Sequence, residues 1–321
     1  MCAALGLASF VGLSAVPAHA LTCSGGPTMT IDLASGEAVA VSLRSAADPR
    51  VIEVTPSDPT CGGFDTGSVT AVQVNGTDGD ETVTIDQTGA VPFPHQNTTS
   101  IVLALGGGSD TLVIDGQATA DTIGFGTGGV SLDAGETPDV TGIDSVESFT
   151  VFANDGDDKV SGAGGGGLGG AFTVGLTIDG GSGNDTLRGG EGNDALSGGG
   201  GDELVRGSKG DDLVDGGAGG DDLNGGDGRD SVSGGAGADE AAGGDGADAV
   251  SGGNGDDTVR GGQGDDAVSG DDGSDLLRGG SGADDLAGGP GPDQLRGGKG
   301  ADGCVGGAGA DSFTGCEDIT L

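Results

Sequence analysis

The chain has 321 residues, among them 77 Gly, 8 Phe and no Trp or Tyr, and its formal net charge at pH 7 is −41. So few aromatics cannot build a large conventional core, and a thin solenoid suits this composition better than a globule. The acidity excludes nucleic acid and anionic membrane as direct partners and leaves cations as the natural ones.

Residues 1–20 read as a secretory signal: an apolar, small-residue run from Ala3 to Val16, then Ala18-His19-Ala20 as an Ala-x-Ala cleavage site before Leu21. The run lacks the basic opening usual in such segments, since the first cation is Arg44. It is also short of the roughly 20 apolar residues that span a bilayer. A secreted, extracellular or cell-surface location is therefore expected.

Residues 21–152 carry short runs rich in Val, Ile and Thr, such as Ala38 to Leu43, Val51 to Thr55, Thr82 to Asp86, Ser100 to Leu105 and Thr111 to Asp115. Their alternation, punctuated by Gly, Pro and Asp, predicts strands with tight turns, and no window has helical periodicity. Three segments echo one another: Gly79-Asp80-Glu81-Thr82-Val83, Gly108-Ser109-Asp110-Thr111-Leu112 and Gly156-Asp157-Asp158-Lys159-Val160. Solenoid rungs of irregular length are therefore expected from about Ser68 onward, with a separate β-sandwich as the alternative. Residues 153–179 read as degenerate rungs, with Gly162 to Gly170 as a further rung or a hinge.

From Gly180 to Thr314 the chain repeats every nine residues, fifteen times, without insertion or deletion. The first copy is Gly180-Gly181-Ser182-Gly183-Asn184-Asp185-Thr186-Leu187-Arg188, and the pattern is Gly-Gly-x-Gly-x-Asp-x-U-x with U apolar. Ordering nine backbones costs roughly 9–18 kcal/mol, whereas burying one Leu or Val returns about 1.5–3 kcal/mol. Stacked rungs would also bring equivalent Asp residues to about 4.8 Å, where like charges repel by about 1 kcal/mol even in water. Apolar burial alone cannot fold this stretch; a cation must sit among the carboxylates. Oxygen-only ligands select a hard ion, Ca²⁺ before Mg²⁺.

This stretch resembles the RTX, or haemolysin-type calcium-binding, nonapeptide-repeat family over at least 135 residues. The resemblance implies an all-β fold, a right-handed parallel β-roll. Positions 1–6 would form a turn and positions 7–9 a short strand, so that two units complete one coil. Multiple Ca²⁺ ions would lie between turns on the same side, bound by position-6 carboxylates and turn carbonyls. Here position 6 is Asp185, Asp194, Asp212, Asp221, Asp230, Asp239, Asp248, Asp257, Asp266, Asp275, Asp284, Asp293, Asp302 and Asp311, with Glu203 in the one departing unit and Asp202 beside it as a substitute ligand. The inward column would be Leu187, Leu196, Val205, Val214, Leu223, Val232, Ala241, Val250, Val259, Val268, Leu277, Leu286, Leu295, Cys304 and Phe313, none of them charged. The alternative is an acidic, glycine-rich disordered linker, which would need neither the unbroken phase nor an uncharged eighth position.

After the signal four cysteines remain, two near each end. Their grouping suggests Cys23–Cys61 and Cys304–Cys316 disulfides in an oxidising compartment, with free buried thiols as the alternative. The last bond would clamp the solenoid beside a cap of residues 315–321.

Signatures of catalysis are missing. There is no His-Glu-x-x-His and no Gly-x-Ser-x-Gly, and after the signal the single histidine is His95, in a proline-bounded loop. Paired carboxylates such as Asp157-Asp158 would suit glycosidase chemistry, but the phenylalanines are too scattered for a sugar platform. The expected function is therefore an exported, non-enzymatic protein that folds on binding calcium. Rival readings are a cell-surface or adhesive spacer with a polysaccharide or surface partner at residues 21–152, and a carbohydrate-active enzyme with a repeat tail.

Overall fold

The computed structural model describes residues 109–320 apart from 119–120, 133–139 and 166–167, and upstream of these the strands between Thr22 and Ala104. The signal segment, the Cys23–Cys61 pairing and His95 lie outside the described residues.

Two long sheets, of sixteen and fifteen strands, run side by side along the chain. Consecutive strands alternate between them, so that each strand pairs in parallel with the strand a full coil away. In the repeats the offset is 18 residues: Leu196 lies opposite Val214, and Val205 opposite Leu223. Two units therefore make one coil. The same parallel stacking begins far upstream. Thr28–Asp32, Ala71–Asn75 and Ser100–Ala104 form one series, and Ala38–Arg44, Thr82–Asp86, Thr111–Asp115, Ser148–Phe152 and Leu176–Ser182 form the other. The first half is thus solenoid, not a separate sandwich. Its irregularity lies in antiparallel insertions, such as Thr122–Gly126 against Gly129–Ser131.

The strand of each unit is longer than the resemblance implied. Ala195–Gly200 is representative: it covers positions 7, 8 and 9 and then 1, 2 and 3 of the next unit. Pairing resumes after a skip at position 1, with Gly199 opposite Gly217 and Gly200 opposite Ala218. Only positions 4–6 are left to turn. The bend sits at position 2, where the backbone is left-handed (φ 108° at Gly199, 106° at Gly217), a conformation open to Gly at little cost. Two units break the rule, with Ser208 at φ 93° and Asp271 at φ 68°. Ser208→Gly is therefore expected to raise stability by about 1 kcal/mol in a urea melt of the folded protein; an unchanged midpoint would mean the bend is unstrained.

The region between Gly162 and Gly170 carries no strand among its described residues. Its described residues fold back on the Thr122–Ser131 hairpin, with Gly128 N–H donating to Leu168 O and Gly164 N–H to Phe125 O. The fold-back buries Leu168 and leads to Phe172, which packs edge-on to Phe149 at 4.8 Å and against Phe125 at 5.6 Å.

The core changes character along the axis. Upstream, each rung sends two apolar side chains inward, for example Leu112 with Ile114 and Phe149 with Val151, all essentially fully buried. In the repeats only position 8 sends an apolar side chain inward. Every predicted inward residue from Leu187 to Cys304 is buried, while Phe313 at the open end is half-buried. The second inward column does not stop; its chemistry changes. Val83, Leu112, Phe149 and Leu176 stack in register. The next residue in that file, one before Ala195 opposite Thr177, is Asp194.

The last coil is closed by Asp318–Thr320, which pairs with Gly303–Val305. A Cys304–Cys316 disulfide with Cα atoms 6.0 Å apart ties this cap to the core, as the cysteine grouping suggested.

Candidate metal centre

Each position-6 carboxylate occupies a buried slot at the turn. Asp185, Asp194, Asp212, Asp221, Asp230, Asp239, Asp248, Asp257, Asp266, Asp275, Asp284, Asp293 and Asp302 are all at most 3% exposed, and Asp311 at the open end is half-buried. Such burial of ionisable groups is costly unless they are partnered.

One oxygen of each of these aspartates is held by the backbone of the coil before it. Asp194 N–H donates to Asp212 Oδ1 at 2.8 Å, Asp212 N–H to Asp230 Oδ1 at 2.9 Å, and so on through Asp248, Asp266, Asp284 and Asp302. A second ladder runs along the other edge through Asp221, Asp239, Asp257, Asp275, Asp293 and Asp311. These bonds fix the rotamer and aim the second oxygen back over position 1 of the same unit. Gly at position 1 makes this possible: a Cβ on Gly207 or Gly216 would collide with that oxygen and with the carbonyl of the next coil.

The second oxygen is the telling atom. Oδ2 of Asp185, Asp212, Asp221, Asp230, Asp239, Asp248, Asp257, Asp266, Asp275, Asp284, Asp293 and Asp302 is fully buried and accepts no hydrogen bond. Asp194 is the exception; its Oδ2 accepts Gly190 N–H at 2.7 Å. An orphaned carboxylate oxygen in a dry slot, repeated coil after coil, is what a cation ligand looks like. Among the described residues no three Asp, Glu, His or Cys side chains converge on one point. Backbone carbonyls must then complete the ligand shell, and those of positions 1, 2 and 4 face the neighbouring coil, each where a Cβ of that coil would otherwise sit. An all-oxygen shell of this kind fits a hard divalent ion. A groove of about 510 Å³ follows the same edge past Asp212, Asp230, Asp248 and Asp266.

Burial drives these acids toward neutrality. It lifts the carboxyls of Asp230, Asp239, Asp266 and Asp275 to about 6 and that of Asp212 to about 7; the accepted N–H pulls down and neighbouring carboxylates push up. Asp185, Asp194, Asp248, Asp257, Asp284 and Asp293 shift upward for the same first reason.

Residues 177–202, 197–232, 206–241, 215–250, 242–277 and 278–313 match the RTX calcium-binding nonapeptide repeat. Residues 177–313 are RTX repeats. No curated protein matches the chain.

The departing RTX unit resolves in favour of Glu203. Its carboxyl takes the buried slot at 3% exposure with both oxygens unpartnered, and burial, then the neighbouring Asp221, raises it to about 8. Asp202, offered from sequence as the substitute, faces solvent, where its Oδ1 accepts Gly220 N–H at 3.0 Å. It belongs to an outer file: Asn184 Oδ1 accepts Asp202 N–H, and Asp211 Oδ1 accepts Arg229 N–H.

Three members of the ladders lie outside the RTX match. Asp158 N–H donates to Asp185 Oδ1 at 2.8 Å, and Asp121 N–H donates to Asp158 Oδ1 at 2.6 Å. Asp158 is 1% exposed, its Oδ2 is unpartnered, and burial raises it to about 7. At Asp121 the second oxygen accepts Gln117 N–H instead. At the far end Asp302 N–H donates to Glu317 Oε2 at 2.7 Å. Asp158 had a visible signal, the Gly156-Asp157-Asp158 echo three units upstream of Asp185. Asp121 follows the sequence Gln117-Ala118-Thr119-Ala120, with none of the diagnostic glycines, and only the offset of 37 residues to Asp158 marks it.

Proposed function

We propose that this is an exported protein whose repeat half folds by taking up several Ca²⁺ ions between its coils, and that it acts as a calcium-stabilised binding or structural module rather than as an enzyme. The observation that carries the reading is the double file of buried carboxylate oxygens without donors. Bound calcium would supply the positive charge that lets these files stay ionised at neutral pH. The chain's own part is to hold one oxygen of each carboxylate by the preceding coil and to bring carbonyls within reach through glycine. Export rests on the general secretion of RTX proteins and on the Cys304–Cys316 bond, which suits an oxidising compartment.

Calorimetric titration of the full chain with CaCl₂ at neutral pH tests it. Each unit faces the unit two further on, leaving thirteen inter-turn positions among fifteen units. Cooperative uptake of several ions is expected, with a midpoint in the range of extracellular modules, about 10⁻⁴–10⁻³ M. Uptake of a single ion, or of none, would defeat the reading. A surface spacer stiffened by calcium is the second reading, favoured by two sheets that continue without a break from the first half into the repeats.

A further inference from the structure

Cations are scarce in this chain, 11 Lys and Arg against 52 Asp and Glu. Five of the eleven fall on one line. Arg188 and Arg206 pair in register, and Arg260, Arg278 and Arg296 follow as a run of three, all at position 9 of the sixteen-stranded sheet. Between them the same file holds Asn224 and Ala242. All five point outward and are exposed or half-exposed. The matching file on the other sheet, Asp179, Ser197, Asp215, Ser233, Ser251 and Ser269, contains no cation.

Offsetting the acidity of the fold does not explain this. Carboxylate ladders line both edges, so compensating arginines would be shared between the two sheets and staggered. Instead three guanidinium groups stack on adjacent strands about 4.8 Å apart, where like charges repel. Clustering the arginines costs more than spreading them would, and an anionic partner outside the chain would offset that cost.

The surroundings define that partner. Beside the arginine file, position 7 of the same strands presents Thr186, Leu204, Asp222, Glu240, Thr258, Leu276 and Gln294. Glu240 shares an ion pair with Arg260. Asp222 and Glu240 stand in the two rungs that lack arginine, so one hydroxyl-accepting pair of carboxylates lies between two runs of anion-binding forks. A membrane or a polyphosphate chain offers only acceptors and would be repelled there. A polysaccharide carries both acidic groups and hydroxyl donors, and a linear one can follow a single file of side chains. We infer that the outer face of the sixteen-stranded sheet is a docking strip for a linear anionic polysaccharide, gripped by Arg188, Arg206, Arg260, Arg278 and Arg296.

The test uses the full chain in millimolar Ca²⁺ and low salt, with chondroitin sulfate as probe and neutral dextran, long-chain polyphosphate and anionic lipid vesicles alongside. Chondroitin sulfate should bind, more weakly as salt rises, and dextran should not. The triple change Arg260→Gln, Arg278→Gln, Arg296→Gln should weaken binding about tenfold or more, given the strength of charge-assisted bidentate bonds. The triple Arg→Lys variant, equal in charge, should recover only part of it. The triple Lys209→Gln, Arg229→Gln, Lys299→Gln removes the same charge off the file, with Lys209 and Lys299 past the bend at the ends of two strands of the same sheet, and should cost no more than about threefold. Circular dichroism in Ca²⁺ separates loss of binding from loss of fold. Absence of chondroitin sulfate binding in a calcium-folded protein, equal losses in the two Gln triples, or preference for polyphosphate or vesicles would each overturn the inference.

Discussion

Stripped of calcium by chelator at about pH 7.5, the repeat half of the protein should exchange its amides freely, while the strands between Leu112 and Ile178 stay protected. Restoring millimolar Ca²⁺ should convert the far-UV circular dichroism of the repeats from coil to β in one cooperative step. The split follows from the file in which Val83, Leu112, Phe149 and Leu176 give way to Asp194. Upstream, two apolar side chains per rung supply cohesion in any solvent. Downstream, one of the two is a carboxylate, and glycine makes each rung entropically expensive.

Acid should mimic part of the effect of calcium. The buried carboxyls are raised above the value of about 3.9 that Asp has in an unfolded chain. Each one favours the folded state while protonated, and that contribution fades as pH climbs through the folded value. For Asp230, Asp239, Asp266 and Asp275 this happens near 6, for Asp158 and Asp212 near 7, and for Glu203 near 8. In chelator, then, lowering the pH from about 8 to about 5 should restore compactness and β signal to the repeats. With calcium the sign reverses: protons compete for the same oxygens, and affinity should fall over the same interval. A chelated protein that is compact and protected throughout at about pH 8 would show that the carboxylate files need no counter-charge.

The sequence was most informative where one physical demand recurs without interruption. The inward file from Leu187 to Cys304 and the position-6 acids are legible because every unit faces the same two constraints, a dry slot at position 8 and a carboxylate at position 6. Legibility fails where the same site is built from other residues. The turn at Asp158 keeps one diagnostic glycine, Gly156, and replaces position 2 by Asn154, whose φ of 76° is tolerated because Asn reaches left-handed backbone more readily than most. Asp121 is separated from Asp158 by a hairpin insertion that destroys the nine-residue phase. Glu317 sits 15 rather than 18 residues past Asp302, since the closing turn is short. The arginine file is invisible for a different reason. Position 9 alternates between two sheets, so the five residues line up only once the 18-residue coil is known.

The sharpest local test sets two neighbouring files against each other. Asp248 and Asp266 belong to the same ladder, Asp266 Oδ1 accepting Asp248 N–H at 3.0 Å, and each has an orphaned second oxygen. Asp245 and Gln263, at position 3 where the strands enter the same turns, touch each other through an exposed side-chain hydrogen bond. Replacing Asp248 and Asp266 together by Asn keeps the shape and the accepting oxygen but removes two charges from the dry slot. Calcium stoichiometry should fall, the folding transition should broaden, and more Ca²⁺ should be needed to reach its midpoint. Losing a charge-assisted contact at a buried site costs roughly 1.5–3 kcal/mol, so a shift of about tenfold or more in the calcium midpoint is expected. The paired change Asp245→Asn, Gln263→Ala removes an exposed contact worth at most about 1 kcal/mol and should leave stoichiometry untouched. In the apo protein the order should invert at high pH. There the Asp248→Asn, Asp266→Asn chain loses two buried charges and should collapse more readily than wild type, because what calcium neutralises in the native roll has been neutralised by substitution. Equal behaviour of the two pairs, with and without calcium, would mean that the buried files are not where the ions bind.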